Sequence, residues 1–313
     1  MNIIPNAPLF RDPIYDGAAD PTILWNPMEQ AWWIFYTNRR AFSPGVGVSY
    51  MHGSDIGIAS SDDGGKNWIY RGTAQGLDFE PGRNTWWAPE VIEREGTFHM
   101  YVSYVRGIPF SWEYPRKILH YTSKDLWNWT FAGEPKLASD RVIDACIIRL
   151  PDGRWKMWYK NEADQGFTYS ALSTDLYHWI PGGAEITDCP HEGPNVFFFR
   201  ERYWMLTDPW HGLGVYVSED AVHWKRCSNI LREPGLRRDD SGIGAHADVL
   251  VHKGRAYIFY FTHPEVTQEE RNDPDFVWEY RHRRSSLQAA ELICKGGELV
   301  CDRNHVEMDL EGM

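Results

Sequence analysis

The sequence lacks the features that mark several protein classes. Its five cysteines are scattered and odd in number, and no Cys-x-x-Cys pair occurs, so neither a zinc site nor a disulfide framework is indicated. No apolar run approaches the roughly 18 residues that a membrane-spanning helix needs. Basic residues are in deficit, with 32 Lys and Arg against 44 Asp and Glu, and the net charge of −12 argues against a nucleic acid partner.

The amino terminus also lacks the basic-then-apolar pattern of a secretory signal and carries Pro5 and Pro8 instead. We therefore expect a soluble, cytoplasmic protein with no membrane partner, unless a leader has been removed. The sequence does not indicate the oligomeric state.

Long stretches of helical periodicity are absent as well. Aromatic residues are abundant instead, at 15% of the chain with 16 Trp and 16 Tyr. Such a composition is typical of aromatic-rich β-strands, and flat aromatic side chains can also stack on sugar rings. All-β domains of about this length are often single.

A short turn motif recurs along the chain. Its four copies are Ser61-x-Asp63-x-Gly65-x-x-Trp68, Ser123-x-Asp125-x-x-x-Trp129, Ser173-x-Asp175-x-x-x-Trp179 and Ser218-x-Asp220-x-x-x-Trp224. Ser and Asp side chains bond to nearby backbone amides and close a turn, while the Trp can pack against a neighbouring sheet. We predict a degraded fifth copy near Ser285-Ser286.

Each motif is preceded by two apolar strands with a short polar turn between them, as in a hairpin. The five units begin near residues 20, 87, 144, 192 and 246. This regular repeat predicts an all-β fold, a single five-bladed β-propeller over residues 1–313, in preference to a β-sandwich. We expect residues 1–16 and 285–313 to complete the last blade, with 264–313 forming a charged, solvated loop and a closing strand.

The starts of the inner strands carry the candidate chemistry. Because the first strand of every blade lines the central axis, the alignment of the five copies places Asp20, Asp144 and His246 at one level. Glu192 lies one residue earlier in its own blade. Carboxylates that share a cavity cannot all ionise freely, so at least one pKa is raised. A protonated group beside an ionised one is what acid/base catalysis needs.

Two prolines next to these acids suggest their backbone geometry. Pro194 has no amide hydrogen, so we expect the fourth inner strand to begin after it, with Glu192 outside the ladder. Pro21 is expected to hold Asp20 in an extended conformation.

Five segments, in this order, resemble glycoside hydrolase family 43 over about residues 12–262. They are Asp20-Pro21, Trp87-Ala88-Pro89-Glu90, Ile143-Asp144, Glu192-Gly193-Pro194 and Gly244-Ala245-His246. The resemblance implies a propeller glycosidase with Asp20 as general base, Asp144 as an auxiliary acid that tunes the proton donor, and Glu192 as general acid. It also implies a central cation or water cluster beside His246.

The resemblance further implies that the reaction needs no cofactor, although a structural calcium ion can lie on the axis. The substrate would be a plant- or microbe-derived oligosaccharide, cleaved with inversion. The remaining candidates for substrate binding are Trp87, Glu90, Arg39, Trp210, His211 and Trp112. The sequence departs from the family at Ala145, where proline is common, and at Asp248, an additional carboxylate.

Two other functions remain open. A carbohydrate-binding propeller without catalysis would keep the tryptophans but would not need the carboxylates. A retaining, sialidase-like enzyme is suggested by the Asp-box character of Ser61 to Trp68, but that class needs six blades and three arginines around an anionic sugar.

Overall fold

The chain forms five antiparallel four-stranded sheets in a computed structural model, which describes residues 2–311. Blade one contains β1 (Ala18–Asn26), β2 (Ala31–Asn38), β3 (Asp55–Ser61) and β4 (Ile69–Thr73). Blade two contains β5 (Thr85–Arg94), β6 (Thr97–Val105), β7 (Lys117–Ser123) and β8 (Thr130–Gly133). Blade three contains β9 (Val142–Arg149), β10 (Trp155–Asn161), β11 (Phe167–Ser173) and β12 (Ile180–Ile186). Blade four contains β13 (Glu192–Phe199), β14 (Arg202–Asp208), β15 (Leu213–Ser218) and β16 (Lys225–Ile230). Blade five contains β17 (Ala245–His252), β18 (Arg255–Thr262), β19 (Ser286–Lys295) and β20 (Glu298–Cys301).

The strands of every sheet are ordered as they follow in the chain, from the inner strand outward. The predicted all-β, five-bladed propeller is therefore confirmed. Within residues 2–311 the five blades exclude both the β-sandwich and the six-bladed, sialidase-like alternative. Neither α-helix in this part of the chain is long and apolar enough to cross a membrane.

The Ser-x-Asp motifs lie between the third and fourth strands of blades one to four, as turns at the outer side of the ring. In the second copy, Oδ1 of Asp125 accepts the amides of Trp127 and Asn128 at 2.9 and 2.7 Å. Trp129 then packs edge-on against Phe35 of the preceding blade, with ring centroids 5.9 Å apart. The motif thus closes a turn and joins adjacent blades, as predicted.

The predicted fifth copy is wrong. Ser286 is the first residue of β19 and Ser285 precedes it, and the corresponding turn of blade five is Gly296-Gly297. These two glycines have φ values of 63° and 84°, so they close the tight β19–β20 hairpin without a capping side chain.

The last blade is also built differently from the expectation. Residues 286–301 supply two strands instead of one closing strand. The amino-terminal segment adds only isolated bridges, Ile3 with Met308 and Phe10 with Leu287. In addition, the indole nitrogen of Trp32 donates to the carbonyl of Leu310, which fixes the carboxyl-terminal segment against blade one.

The connections between the second and third strands all lie at the end of the ring where the inner strands begin, because neighbouring strands are antiparallel. The longest of them, the insertion at residues 264–284, contains α1 (Gln268–Asn272) and α2 (Tyr280–Arg283). We expected this charged insertion to be a solvated face, and most of its residues are exposed. Part of it, however, faces the axis of the ring. Arg271, Phe276, Trp278 and Arg283 line the central pocket.

Candidate active site

Every inner strand carries a β-bulge at the level of the predicted acids. Each has one residue more than its partner strand between Ala19 and Thr22 in β1, and at the equivalent place in β5, β9, β13 and β17. The extra residue bends the strand and re-aims a side chain, which is how bulges serve many active sites. The five equivalent residues at this level are Asp20, Ala88, Asp144, Gly193 and His246.

Four of these residues have left-handed backbones, with φ of 49° at Asp20, 44° at Ala88, 60° at Asp144 and 56° at Gly193. For a residue with a side chain this region costs roughly 1–2 kcal/mol, although Asp tolerates it better than most. The same strained conformation therefore recurs where the predicted catalytic side chains reach the axis.

The bulges overturn both predictions made from the prolines. Asp20 is left-handed and not extended, despite Pro21. Strand β13 begins at Glu192 and includes Pro194, and Glu192 pairs with Asp208 of β14. Proline is tolerated there because the bulge interrupts the ladder at the position where its amide would be required.

Gly193 explains why the acid of blade four lies one residue early. A Cβ at Gly193 would stand 2.7 Å from Cγ of His246, closer than a real Cβ approaches another atom. The bulged position of this blade therefore has no room for a side chain, and the carboxylate comes from the preceding residue, Glu192.

The predicted acids meet in one cavity of about 880 Å³ at the mouth of the ring. Asp20, Asp144, Glu192 and His246 all line it. A fourth carboxylate, Asp208, lies among them and was not predicted. The sequence analysis considered only the inner strand of each blade, whereas Asp208 is the last residue of β14, the second strand of blade four. An acidic residue at the end of an apolar strand was the one sequence feature that could have indicated it.

Asp20 is buried and paired. Nη2 of Arg39 donates to both of its carboxylate oxygens, at 3.0 and 3.1 Å, and Nδ1 of His246 lies 3.6 Å from Oδ1. Burial opposes ionisation, but the charges of Arg39 and His246 outweigh it and hold the pKa of Asp20 below its ordinary value. Asp20 is thus an ionised carboxylate at neutral pH.

Asp144 and Asp208 have the opposite character. Burial raises the pKa of Asp144 to about 6; the charge of His246 opposes this rise and that of Glu192 adds to it. Burial, followed by the charge of Glu192, raises the pKa of Asp208 to about 7. The backbone amide of Gly193 donates to Asp144, and that of His246 donates to Asp208. Both pKa values thus lie well above that of Asp20, and at neutral pH Asp208 is partly protonated whereas Asp144 is mostly ionised.

Glu192 is more accessible than Asp20, Asp144 and Asp208, with 26% of its side chain exposed. Nζ of Lys160 lies 3.2 Å from its Oε2 and 3.1 Å from Oε1 of Glu162. Burial opposes the charge of Lys160, but Glu192 and Glu162 raise its pKa above the ordinary value. A cation therefore stays beside the predicted proton donor.

His246 faces the whole group. Burial disfavours its charged form, but Asp144, Asp20, Glu192 and Asp208 together raise its pKa above the ordinary value. The imidazole is surrounded by acids and not by apolar side chains, which agrees with a polar axis.

The predicted substrate-binding residues divide into two groups. Four of them line the pocket: Arg39, Trp87, Trp112 and Trp210. The indoles of Trp112 and Trp210 are 44% and 38% exposed, whereas Trp87 is buried and donates its indole N–H to the carbonyl of Met51. His211 lies instead in a neighbouring cavity of about 770 Å³, and Glu90 lies below the pocket.

Glu90 belongs to a second layer of side chains, two positions further along the inner strands. This layer consists of Thr22, Glu90, Cys146, Asn195 and Asp248. Oε1 of Glu90 accepts the amide of Ile147, and burial, followed by the charge of Asp248, raises the pKa of Glu90 well above its ordinary value. The side-chain amide of Asn195 donates to Asp248 at 2.9 Å, and its buried Oδ1 has no partner.

Calcium prefers several oxygen ligands. The lower axial layer offers them from Glu90, Asp248 and the unpartnered Oδ1 of Asn195, whereas His246 offers one nitrogen whose proton the surrounding acids stabilise. By ligand type these side chains suit calcium better than the His246 imidazole does, although the oxygens of Asp248 already accept the backbone amides of Ile23 and Val249 and the side-chain amide of Asn195.

One other cluster of ligand atoms occurs within residues 2–311. Asp188, Cys189 and His191 lie within 4.8 Å of one another. Both ring nitrogens of His191 are already engaged, however, by Thr168 Oγ1 at 2.6 Å and the carbonyl of Cys189 at 2.8 Å. This cluster is therefore held by its own hydrogen bonds and lies outside the pocket.

No model of a known protein family matches the sequence, and no curated protein does. Solved structures do match. A thermostable family-43 glycoside hydrolase superimposes with a TM-score of 0.68 at 18% identity, over 97% of this chain and 100% of that one. A family-43 β-1,3-galactosidase with galactodeoxynojirimycin gives 0.65 at 17%, again over 97% and 100%.

The chain has the fold of family-43 glycoside hydrolases. A further such structure, a β-xylosidase/α-arabinofuranosidase from a compost microbial metagenome, gives a TM-score of 0.66 at 14% identity, over 90% of this chain and 93% of that one. That enzyme was solved with xylotriose in a calcium-free form. The predicted likeness to family-43 propellers is confirmed, and at these identities it concerns the fold.

Proposed function

We propose that the protein is a glycoside hydrolase that cleaves a plant- or microbe-derived oligosaccharide. The observation that carries the proposal is that one pocket holds carboxyl groups whose pKa values are shifted in opposite directions, with that of Asp20 lowered beside Arg39 and those of Asp144 and Asp208 raised by burial. A carbohydrate-binding propeller would have no use for this arrangement of buried charge, which is costly to maintain.

The roles follow from the chemistry of glycosidic bond cleavage. Asp20 takes a proton from water as the water attacks the anomeric carbon, and Glu192 gives a proton to the leaving oxygen. Asp144 accepts the amide of Gly193, the residue next to Glu192, and so positions and tunes the donor. We propose that the reaction inverts the anomeric centre, because Asp20, held by Arg39, acts on water and not on the sugar.

The pocket suits a sugar chain. The indoles of Trp112 and Trp210 are partly exposed at its wall, and aromatic rings stack on sugar rings. The solved complex of a structurally similar enzyme with xylotriose supports an oligosaccharide substrate.

The reaction needs no cofactor in this proposal, and an axial calcium ion would be structural. Glu90, Asp248 and Asn195 would hold it below the pocket, where it would stabilise the ring without contacting the substrate. Added calcium should then raise the melting temperature, and Asp248→Asn should weaken that effect. If neither added calcium nor a chelator changes the melting temperature, the ion is not bound.

A screen of the purified protein against aryl furanosides and pyranosides tests the function. We expect hydrolysis of at least one, with proton NMR showing that the first product has the anomeric configuration opposite to that of the substrate. A first product of unchanged configuration would contradict inversion, and a failure to cleave any glycoside would contradict the proposed function.

A further inference from the structure

The wall of the pocket contains many basic side chains. Six basic side chains line it: Arg39, Arg116, Arg141, Lys160, Arg271 and Arg283. Four of them have acidic partners. Arg39 binds Asp20 at 3.0 Å, Arg116 binds Glu162 at 2.9 Å, Lys160 binds both Glu162 and Glu192, and Arg141 reaches the exposed Glu113 at 3.9 Å.

The other two cations come from the insertion at residues 264–284. Within residues 2–311, neither Arg271 nor Arg283 has a carboxylate within ion-pair distance. Arg283 donates through Nη1 to the carbonyl of Ser43 at 2.6 Å and stacks on Tyr50, with Cζ 4.5 Å from the ring centroid. Its Nε is buried and has no hydrogen-bond partner. Arg271 is half-buried, and the carboxylate whose charge acts on it is Asp208, within the pocket.

The charge of the pocket is therefore opposite to that of the protein. The lining contains the six cations above and five carboxylates, from Asp20, Asp144, Glu162, Glu192 and Asp208. Burial raises the pKa of Asp208 to about 7, so this group is partly protonated at neutral pH. The six cations therefore outnumber the ionised carboxylates, in a chain whose net charge is −12. A concave site of one sign concentrates ligands of the other.

We propose that Arg271 and Arg283 bind a carboxylate on the substrate, so that the pocket accepts a hexuronoside in preference to the corresponding neutral glycoside. A guanidinium presents its donors in a planar fork that matches a carboxylate, and such charge-assisted bonds are stronger than bonds to neutral hydroxyls. The unpaired arginines lie on the insertion and not on the strands that carry the reacting acids. This inference rests on the proposed function and names its substrate class.

Matched substrates test it. Aryl glucuronosides and glucosides, and aryl galacturonosides and galactosides, are compared in both anomers by kcat/KM. The wild type should prefer the uronoside of the pair that it cleaves. Arg271→Gln and Arg283→Gln should each lower kcat/KM for the uronoside by about tenfold or more, with a far smaller effect on the neutral partner. The Lys variants should recover part of the loss, because they restore the charge without the fork.

Arg281→Gln is the matched control. Arg281 lies on the same helix as Arg283, is 51% exposed, pairs with Glu270 and Glu279, and does not line the pocket. Its loss should leave the preference for the uronoside unchanged. The proposal is overturned if the neutral glycoside is cleaved as well as the uronoside, or if the Arg271 and Arg283 variants lose activity equally on both; glycosidase function would then still stand.

Calorimetry separates the two proposals. Glucuronic and galacturonic acids are titrated into the wild type, Arg271→Gln and Arg283→Gln, with glucose and galactose as neutral ligands. Binding of a uronic acid that is lost in the arginine variants, in a protein that cleaves no glycoside, would support the carboxylate site and contradict the hydrolase. The absence of uronic acid binding together with preferential cleavage of neutral glycosides would contradict the carboxylate site alone.

Discussion

Arg39 binds Asp20 through a single terminal nitrogen, Nη2, which lies 3.0 Å from one carboxylate oxygen and 3.1 Å from the other. Both side chains are buried, and the Arg39 guanidinium also packs over Phe261, with Cζ 4.7 Å from the ring centroid. The pair fixes the orientation of Asp20 and keeps it ionised in a site where burial alone would protonate it. Arg39 therefore sets the lower pH limit of the proposed reaction.

Replacement of Arg39 by Met should move that limit upward. Asp20 acts as a base only when ionised, so activity falls as the pH decreases through its pKa. Without Arg39, burial raises this pKa, and the acidic limb of the kcat/KM profile should shift to higher pH. Arg39→Lys, which keeps the charge, should shift the limb less. An unchanged acidic limb in Arg39→Met would mean that Asp20 is not the base.

Two substitutions of the acids should be distinguishable by the leaving group. Glu192→Gln removes the proton donor. The rate of hydrolysis should therefore fall about a hundredfold or more for substrates with poor leaving groups, and much less for activated aryl glycosides. Asp20→Asn should abolish turnover of both kinds, since water must be activated in either case. Initial rates on a series of aryl glycosides measure this. Near-native rates in both variants would contradict the assignment and direct attention to His246 or Asp248.

The raised pKa of Asp208 predicts a pH-dependent contribution to stability. In the folded state the pKa of Asp208 is about 7, above the ordinary value of 3.8. At a pH between these two values, the folded protein holds a proton on Asp208 that the unfolded chain has lost. Its contribution to stability is complete below about pH 4 and decreases as the pH rises through 7. Asp208→Asn should therefore lose less stability than the wild type between pH 4.5 and 8, as measured by thermal unfolding. The exposed Asp62→Asn serves as control, and an equal pH dependence in the wild type and Asp208→Asn would refute the prediction.

The bulges give a paired test of backbone strain. Ala88 has a left-handed backbone with φ of 44°, whereas Ala145, which follows the equivalent residue Asp144 in blade three, does not have a positive φ. Glycine at position 88 relieves the backbone strain, whereas glycine at position 145 only increases the conformational freedom of the unfolded chain. Ala88→Gly should therefore be about 1–2 kcal/mol more favourable than Ala145→Gly in denaturant unfolding. Equal effects of the two substitutions would show that the bulge stores no strain at Ala88.

The ring and its main acids were predictable because they follow from local repeats. Each inner strand has the same apolar register, so alignment of five short segments was enough to place Asp20, Asp144, Glu192 and His246 together. The bulges were not predictable, since Asp-Pro and Gly-Pro pairs usually mark the end of a strand and here lie within one. Glu90 was misplaced for the same reason, because it shares a blade start with Trp87 but lies in the layer below the pocket.

Asp208 and the insertion were missed for a different reason. Asp208 reaches the pocket only because β14 runs back to the level of Glu192, and that pairing depends on the bulge in β13. Arg271 and Arg283 come from a segment whose charge pattern is equally typical of a solvated loop. Their position depends on how the segment folds back over the ring, and a single sequence contains no signal for it.

The acids lie on hydrogen-bonded strands, whereas much of the pocket wall comes from the connections between second and third strands. A change in the length of one of these connections would leave the register of every sheet intact. The propeller can thus be given a different wall, and with it a different choice of sugar, while the distances among the reacting groups stay the same. Grafting the insertion at residues 264–284 onto another propeller of this fold would transfer its arginines without disturbing the acids of the recipient.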